Sequence, residues 1–146
     1  MMNIDQDHDV LIAEDDREDV EIFGWAMQQA EVPHVLRHAE NGDHLFVLLK
    51  EQVPYLLFLD IRMPCKDGIS CIMEIRKNRE YDQLPVIMYT SFAYPNYIED
   101  AYRNGANYFM NKTSNMQGMV DALKRIFAID WKNYHHYPTR DQFMIN

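Results

Sequence analysis

The chain has 146 residues, of which 47% are apolar, and a formal net charge of −9 at pH 7. This length predicts one domain with a substantial hydrophobic core. Because proteins that bind nucleic acid need a basic face to displace counterions from phosphates, the acidic balance argues against direct binding to nucleic acid.

The amino terminus, residues 1–7, is polar and acidic and lacks the apolar core of a signal peptide. We interpret it as a solvated leader and expect a cytoplasmic protein that makes no contact with a membrane. Two cysteines, Cys65 and Cys71, are too few for a disulfide framework and suit a reducing compartment.

Apolar runs and helical periodicity alternate five times along the chain. The predicted strands are residues 10–13, 34–38, 56–59, 85–90 and 107–111. Helical patterns follow them within residues 20–30, 41–49, 68–78, 95–104 and 115–129. This alternation predicts an α/β fold, a flavodoxin-like doubly wound parallel sheet of order 2-1-3-4-5 with five helices in three α/β/α layers.

Polar residues follow four of these strands. In such a sheet the carboxyl ends of strands one and three lie side by side, with strands four and five next to them. The crevice at this edge should therefore collect five polar side chains: Glu14, Asp15, Asp60, Thr90 and Lys112.

Three crowded carboxylates repel one another unless a cation neutralises them. Oxygen ligands without histidine or cysteine favour a hard ion such as Mg²⁺. With a hydroxyl at Thr90 and an ammonium at Lys112, the crevice has the groups that phosphoryl transfer to a carboxylate needs.

These residues resemble the receiver domain of two-component response regulators over about residues 8–129. The matching motifs are Glu14-Asp15, Asp60-x-x-Met63-Pro64-x-x-Asp67-Gly68, Thr90-Ser91 and Lys112. The resemblance implies that a histidine kinase or a histidine phosphotransfer protein phosphorylates Asp60. It also implies a flavodoxin-like fold of the type found in the chemotaxis regulators.

The resemblance further assigns roles to individual residues. Asp15, Asp60 and the main-chain carbonyl of Arg62 would bind Mg²⁺, and Glu14 would help through water. Thr90 and Lys112 would contact the phosphoryl group. Phe109 stands where the family has its switch aromatic and would turn inward as Thr90 is drawn toward the phosphate.

Thr113 replaces the proline that usually follows the lysine in this family, so a cis peptide bond between Lys112 and Thr113 is disfavoured.

Residues 130–146 form an aromatic extension, too short for an output domain. We therefore expect a single-domain regulator that acts by binding an unidentified protein. It would be no enzyme beyond its own phosphorylation and slow autodephosphorylation. The extension, with Arg103-x-Gly105-Ala106-Asn107, is similar to the single-domain regulators paired with bacterial phytochromes.

The apolar stripe of the last helix continues into the extension at Trp131 and Tyr134, which predicts a helix that runs on until Pro138. An exposed aromatic stripe predicts a homodimer. The alternative is that these aromatics cover the receiver's own surface.

Two other functions would fit an aspartate at a strand end. A phosphatase of the haloacid dehalogenase type needs a second aspartate two residues on, where this chain has Arg62. A docking module that works without phosphate would usually have lost a site residue. If the chain is a receiver domain, Arg62 and Phe92 border the path of the water that attacks the aspartyl phosphate. We therefore expect these two residues to slow its hydrolysis.

Overall fold

Five parallel strands form the centre of the computed structural model, which describes residues 8–113, 115–132 and 137–146. The strands are β1 (His8–Ala13), β2 (His34–Ala39), β3 (Leu56–Leu59), β4 (Val86–Thr90) and β5 (Tyr108–Asn111). They are ordered β2-β1-β3-β4-β5, and each neighbouring pair is parallel. The predicted fold class and strand order are confirmed.

A helix follows each strand, and most helices begin at a side-chain cap. The helices are α1 (Arg17–Gln29), α2 (Gly42–Glu51), α3 (Gly68–Lys77), α4 (Pro95–Arg103) and α5 (Met116–Phe127). Four of them start after a residue whose side chain accepts a hydrogen bond from a first-turn N–H: Asp16, Asn41, Asp67 and Asn115. α4 instead has proline in its first turn. Two single-turn 3₁₀ helices, Arg79–Tyr81 and Arg140–Gln142, were not predicted.

Alternate residues of the strands face two separate hydrophobic clusters. In β1, Val10 and Ile12 pack with α1 and α5, whereas Leu11 and Ala13 pack with α2, α3 and α4. The sheet is therefore covered on both faces, which explains why β3 reads as an unbroken apolar run. Within the described residues no helix is both long and apolar enough to span a membrane.

The prediction that the last helix continues to Pro138 is wrong. α5 ends at Phe127, and the chain then turns, because the N–H of Trp131 bonds to the carbonyl of Ile129 at 3.0 Å. The indole N–H of Trp131 donates to the carbonyl of Ile126 at 3.0 Å, and only 7% of the residue is exposed. Tyr134 lies outside the described residues. Trp131 thus reaches the core through a turn rather than along a helical stripe.

Residues 137–146, which we name the C-terminal strap, end along the outer edge of β5. Met144 forms a parallel β-bridge with Phe109, whose N–H bonds to Phe143 and whose carbonyl accepts from Ile145, both at 3.0 Å. Phe143 is fully buried and packs edge-on against Tyr102 and Phe109. Trp131 and Phe143 therefore cover the receiver's own surface. The homodimer and the boundary at residue 130 stay predictions.

Candidate functional site

The site lies at the carboxyl edge of the sheet, where β1 and β3 end side by side. Ala13 and Leu59 are register partners, and the N–H of Asp60 bonds to the carbonyl of Ala13 at 3.0 Å. The next residues of both strands are therefore adjacent. Carboxylate oxygens of Glu14, Asp15 and Asp60 all lie within 4.8 Å of one another.

The three carboxylates differ in their access to solvent. Glu14 is 1% exposed and Asp60 is 4% exposed, whereas Asp15 is exposed. One Asp60 oxygen accepts a 2.7 Å hydrogen bond from the N–H of Ile61, and the other faces the fifth strand. The cluster, which we name the acidic pocket, is thus open to solvent at Asp15 and buried at Glu14 and Asp60.

Lys112, directly after β5, carries the positive charge that faces this pocket. Its main-chain N–H bonds to the carbonyl of Thr90 at 2.8 Å, which fixes the residue beside β4. The ammonium donates to Asp60 at 3.1 Å, to Asp19 at 2.8 Å and to Glu14. One ammonium therefore binds three carboxylates, and the pocket keeps an excess of negative charge.

Sequence reasoning missed two neighbours of this pocket. Asp19 lies in the first turn of α1, directly after the loop that carries Glu14 and Asp15. A further carboxylate this close in sequence to the acidic pair was the available signal. The other neighbour is His38, whose Nε2 lies 2.6 Å from the main-chain oxygen of Glu14. Nothing local in the sequence links His38 to Glu14, because β2 and β1 meet only through the sheet.

The pKa values of Glu14 and Lys112 are both raised, for different reasons. Burial raises the pKa of Glu14 from its ordinary 4.5 to about 8, and repulsion by Asp60 adds to this, while the bond from Lys112 opposes it. Burial alone would lower the pKa of Lys112, but the bond to Asp19 and the charges of Asp60 and Glu14 outweigh it and raise that pKa. A further positive charge in the pocket would favour the ionised form of Glu14.

The donor set fits a hard divalent cation. Glu14, Asp15 and Asp60 offer carboxylate oxygens, and the set includes neither histidine nor cysteine. The residues of the pocket therefore suit Mg²⁺. The main-chain carbonyl of Arg62 as a further ligand stays a prediction.

The Asp67-Gly68 pair fixes the loop that follows Asp60. Asp67 caps α3 by accepting a 2.8 Å hydrogen bond from the N–H of Ser70, and the N–H of Gly68 bonds to the carbonyl of Ile61 at 2.7 Å. A Cβ atom at Gly68 would lie 2.1 Å from the main-chain oxygen of Asp60, which no side chain tolerates. Glycine is therefore required for the close approach of α3 to the site.

Thr90 and Phe109 are both fully buried. The Thr90 hydroxyl oxygen accepts a 3.2 Å hydrogen bond from the N–H of Phe92. The ring of Phe109 packs at 6.1 Å from the ring of Phe143 in the strap. Each of these two residues is thus tied to a segment beyond its own strand, the loop after β4 for Thr90 and the strap for Phe109.

Arg62 and Phe92 lie against each other. The Arg62 guanidinium carbon is 4.4 Å from the centre of the Phe92 ring, which is a cation–π contact.

Among the described residues no peptide bond is cis, and these include the bond between Lys112 and Thr113.

Residues 10–124 match the family model of the response regulator receiver domain. The chain belongs to this family. Among curated proteins, it is 32% identical over 137 residues to the sensory transduction protein LytT of Oceanobacillus iheyensis. That match covers 94% of this chain and 55% of the relative, so the chain spans about half the length of LytT.

Solved structures of receivers share the fold. The response regulator RPA3017 in red light signaling of R. palustris superposes with a TM-score of 0.78 at 25% identity, covering 90% of this chain and 99% of that one. The phosphorylated cyanobacterial phytochrome response regulator RcpA has a TM-score of 0.75 at 22% identity, covering 83% of this chain and 91% of that one. The resemblance to phytochrome-paired regulators therefore holds at the level of the fold.

Proposed function

We propose that this receiver accepts a phosphoryl group on Asp60 with Mg²⁺ bound and signals through a phosphorylation-dependent change in partner binding. The observation that carries the proposal is the position of Asp60, between the ammonium of Lys112 and the carboxylates of Glu14 and Asp15. A receiver is a phosphoacceptor, and we propose no activity beyond its own phosphorylation and slow autodephosphorylation.

In the proposed reaction a carboxylate oxygen of Asp60 attacks the phosphorus of a phosphohistidine. The new P–O bond forms as the P–N bond breaks, and the electron pair returns to the imidazole, which takes up a proton. Mg²⁺, when bound, neutralises charge on the transferring oxygens. Lys112 is already 3.1 Å from Asp60 and pairs with the added negative charge. Thr90 donates its hydroxyl to a phosphoryl oxygen, and Phe109 follows it inward.

The proposed donor to this receiver, which we place in the cytoplasm, is a histidine kinase or a histidine phosphotransfer protein, and the receiver then binds an unidentified downstream protein. The likeness to RPA3017 and RcpA makes a phytochrome-linked kinase the first donor to test. The alternative, a docking module that works without phosphate, predicts that partner binding is the same before and after phosphorylation.

The experiment is incubation of the full chain with acetyl phosphate and Mg²⁺, followed by intact-mass measurement. We expect one phosphoryl group on the wild type, cleaved by hydroxylamine as an acyl phosphate is, and none on Asp60→Asn. Stable labelling of Asp60→Asn would show that another residue is the acceptor.

The metal role of Asp15 is tested by Mg²⁺ titration of Asp15→Asn, with Asp16→Asn as the matched control. Asp16 is the adjacent exposed carboxylate, and asparagine can replace it as the helix cap. We expect Asp15→Asn to weaken Mg²⁺ binding at least about tenfold and Asp16→Asn to leave it unchanged. Equal affinities in both variants would remove Asp15 from the metal site.

We also propose that Arg62 and Phe92 prolong the phosphorylated state. Their cation–π contact holds an apolar ring and a cation together, so that the Phe92 ring displaces water and the Arg62 guanidinium pairs with phosphoryl oxygens. Decay of the phosphorylated protein should quicken in Arg62→Asn and Phe92→Glu and not in the exposed control Asn96→Ala. If neither variant changes the rate by more than about twofold, ~0.4 kcal/mol of barrier, the gating role is wrong.

A further inference from the structure

The strap is attached to the receiver at several separate points. The Tyr137 ring lies 6.0 Å from the guanidinium of Arg76, and Arg140 pairs with Glu99 of α4 at 3.1 Å. The carbonyl of Ile145 accepts a 2.6 Å hydrogen bond from Arg125 of α5. The strap therefore crosses from α3 over α4 to α5, with β5 beneath its last residues.

The end of the strap bonds to β5 as a short strand would. Asn146 uses its side-chain amide to bind both main-chain groups of Asn111, accepting from the N–H and donating to the carbonyl, each at 2.9 Å. With the two bonds at Phe109, the strap holds four main-chain groups on the outer edge of β5. These four bonds come from a single β-bridge and from the side chain of Asn146, not from a continuous strand ladder.

The same few residues of β5 connect the strap to Asp60. Asn111 bonds outward to Asn146, and the next residue, Lys112, bonds inward through its N–H to Thr90 and through its ammonium to Asp60. One peptide unit thus separates a strap contact from a contact of the candidate phosphoacceptor. A displacement of Lys112 toward the site moves Asn111 with it.

We propose that the strap is a latch on the outer edge of β5 that is closed when Asp60 is unmodified and loosens when Asp60 is phosphorylated. The inference rests on the proposed function and adds the regulation of a specific segment. A phosphoryl group brings more negative charge and three acceptor oxygens to Asp60. Lys112 then turns from Glu14 and Asp19 toward the phosphate and draws the end of β5 inward, away from the strap.

The geometry explains why the strap yields before the sheet does. Bonds on the inner side of β5 belong to a ladder with β4, whereas the outer bonds depend on one bridge and on the exposed Asn146. Phe143 also depends on Phe109 for a ring contact, so displacement of Phe109 with the end of β5 weakens that contact. Local opening is expected where buried contacts and bonded neighbours are fewest.

The test is amide hydrogen exchange of the full chain by NMR, with and without phosphorylation by acetyl phosphate and Mg²⁺. The reporters are the outward-facing amides of Phe109 and Asn111 and the amide of Ile145, all bonded across the strap. The internal control is the amide of Lys112, which faces β4. We expect the three reporters to exchange at least about tenfold faster after phosphorylation and the control to change less than twofold.

Intact mass of the same sample separates the two possible failures. If Asp60 carries the phosphoryl group and the three reporters stay within about twofold of their original rates, the latch is wrong and the proposed function stands. If no phosphoryl group is found, the proposed function is wrong and the latch falls with it. Asp60→Asn, treated identically, should show no change at any reporter.

Linkage provides a reciprocal test, because a strap that opens on phosphorylation must oppose phosphorylation while closed. Phe143→Leu shortens the buried side chain and weakens the strap, whereas Gln142→Ala changes an exposed neighbour. With beryllofluoride and Mg²⁺ as a phosphoryl mimic, we expect Phe143→Leu to bind the mimic at least about threefold more tightly than the wild type. The affinity of Gln142→Ala should equal that of the wild type. Unchanged affinity in a Phe143→Leu protein whose Lys112 amide remains protected would overturn the latch.

Discussion

The two edge strands of the sheet, β2 and β5, are protected from pairing with other chains in different ways. An edge strand exposes main-chain groups that can pair with other chains. β2 carries charged and imidazole side chains, and its Val35 is 53% exposed. β5 carries buried Tyr108, Phe109 and Met110, and the strap covers its outer side. The polar edge can face water, whereas the apolar edge needs a cover.

The polar edge is secured from inside the domain. Arg37 of β2 binds both oxygens of Asp9 at 2.9 Å and donates to the carbonyls of Leu48 and Gln52. These bonds join β2 to β1 and to the end of α2. The β2 edge therefore depends on one cation, whereas the β5 edge depends on a segment distant in the chain.

Removal of the aromatic anchor at the β5 edge, Phe143, should destabilise the protein more than any other single change at the two edges. Phe143→Ala leaves a cavity between Tyr102 and Phe109 and should lower the free energy of unfolding by about 3–5 kcal/mol. The matched change at the other edge, Val35→Thr, should alter it by no more than about 0.5 kcal/mol. Urea denaturation measures both. A cost below about 1 kcal/mol for Phe143→Ala would mean that the strap is not part of the core.

The next effect concerns the cation of the β2 edge. Arg37→Met keeps an aliphatic stem but leaves the mostly buried Asp9 without this partner, at a cost of about 1–3 kcal/mol. Arg103→Met removes a cation whose pair with Glu99 is well exposed, so its cost should stay below about 0.5 kcal/mol. Equal urea midpoints for the two variants would show that Arg37 does not secure the edge.

A smaller effect is expected from the last contact of the strap. Asn146→Ala removes the two bonds to Asn111 and should lower the free energy of unfolding by about 0.5–1.5 kcal/mol. The cost is modest because the main-chain groups of Asn111 can bond to water instead. The Asn111 amide should lose protection from exchange while the Lys112 amide keeps it. Protection retained at Asn111 would show that Asn146 is dispensable for closing the edge.

The smallest effect is a pH dependence at the strap's ion pair. The hydrogen bond from Arg140 lowers the pKa of Glu99 below its ordinary 4.5; burial opposes this, and a second hydrogen bond from Arg103 adds to the lowering. A group with a lowered folded pKa contributes stability that is full above its unfolded pKa and is lost as the pH falls through the folded pKa. The excess stability of the wild type over Glu99→Gln should therefore be constant above about pH 5.5 and shrink toward pH 3. Because the Glu99 side chain is 40% exposed, the excess is small. An excess that grows on acidification would contradict the assignment.

The strands and the main site followed from local signals in the sequence. An unbroken apolar run at residues 56–59 marks a strand covered on both faces, and a polar residue directly after such a run lies at the functional edge of a parallel sheet. The positions of Asp60 and Lys112 could therefore be predicted from four short motifs. Their contact required only the strand order 2-1-3-4-5, which the alternation of strands and helices implies.

The carboxyl end of the chain could not be predicted in this way. Phe127 and Trp131 are four residues apart, which fits a helix, yet Trp131 enters the core through a turn after Ile129. A helical spacing of apolar residues does not exclude a turn that buries the same residues. The strap pairs with β5 from more than thirty residues away, and a three-residue apolar run gives no indication of its partner.

The packing of Trp131 also gives the chain an internal optical probe. The protein has two tryptophans, and the other, Trp25 on α1, is 55% exposed. Its indole faces water, whereas that of Trp131 lies in an apolar site next to Tyr108 at the end of α5. An aqueous quencher such as iodide therefore reaches Trp25 first. In a Trp25→Phe protein, the remaining tryptophan fluorescence would come from Trp131 alone. The wavelength of its emission maximum would report whether the end of α5 stays packed on the sheet.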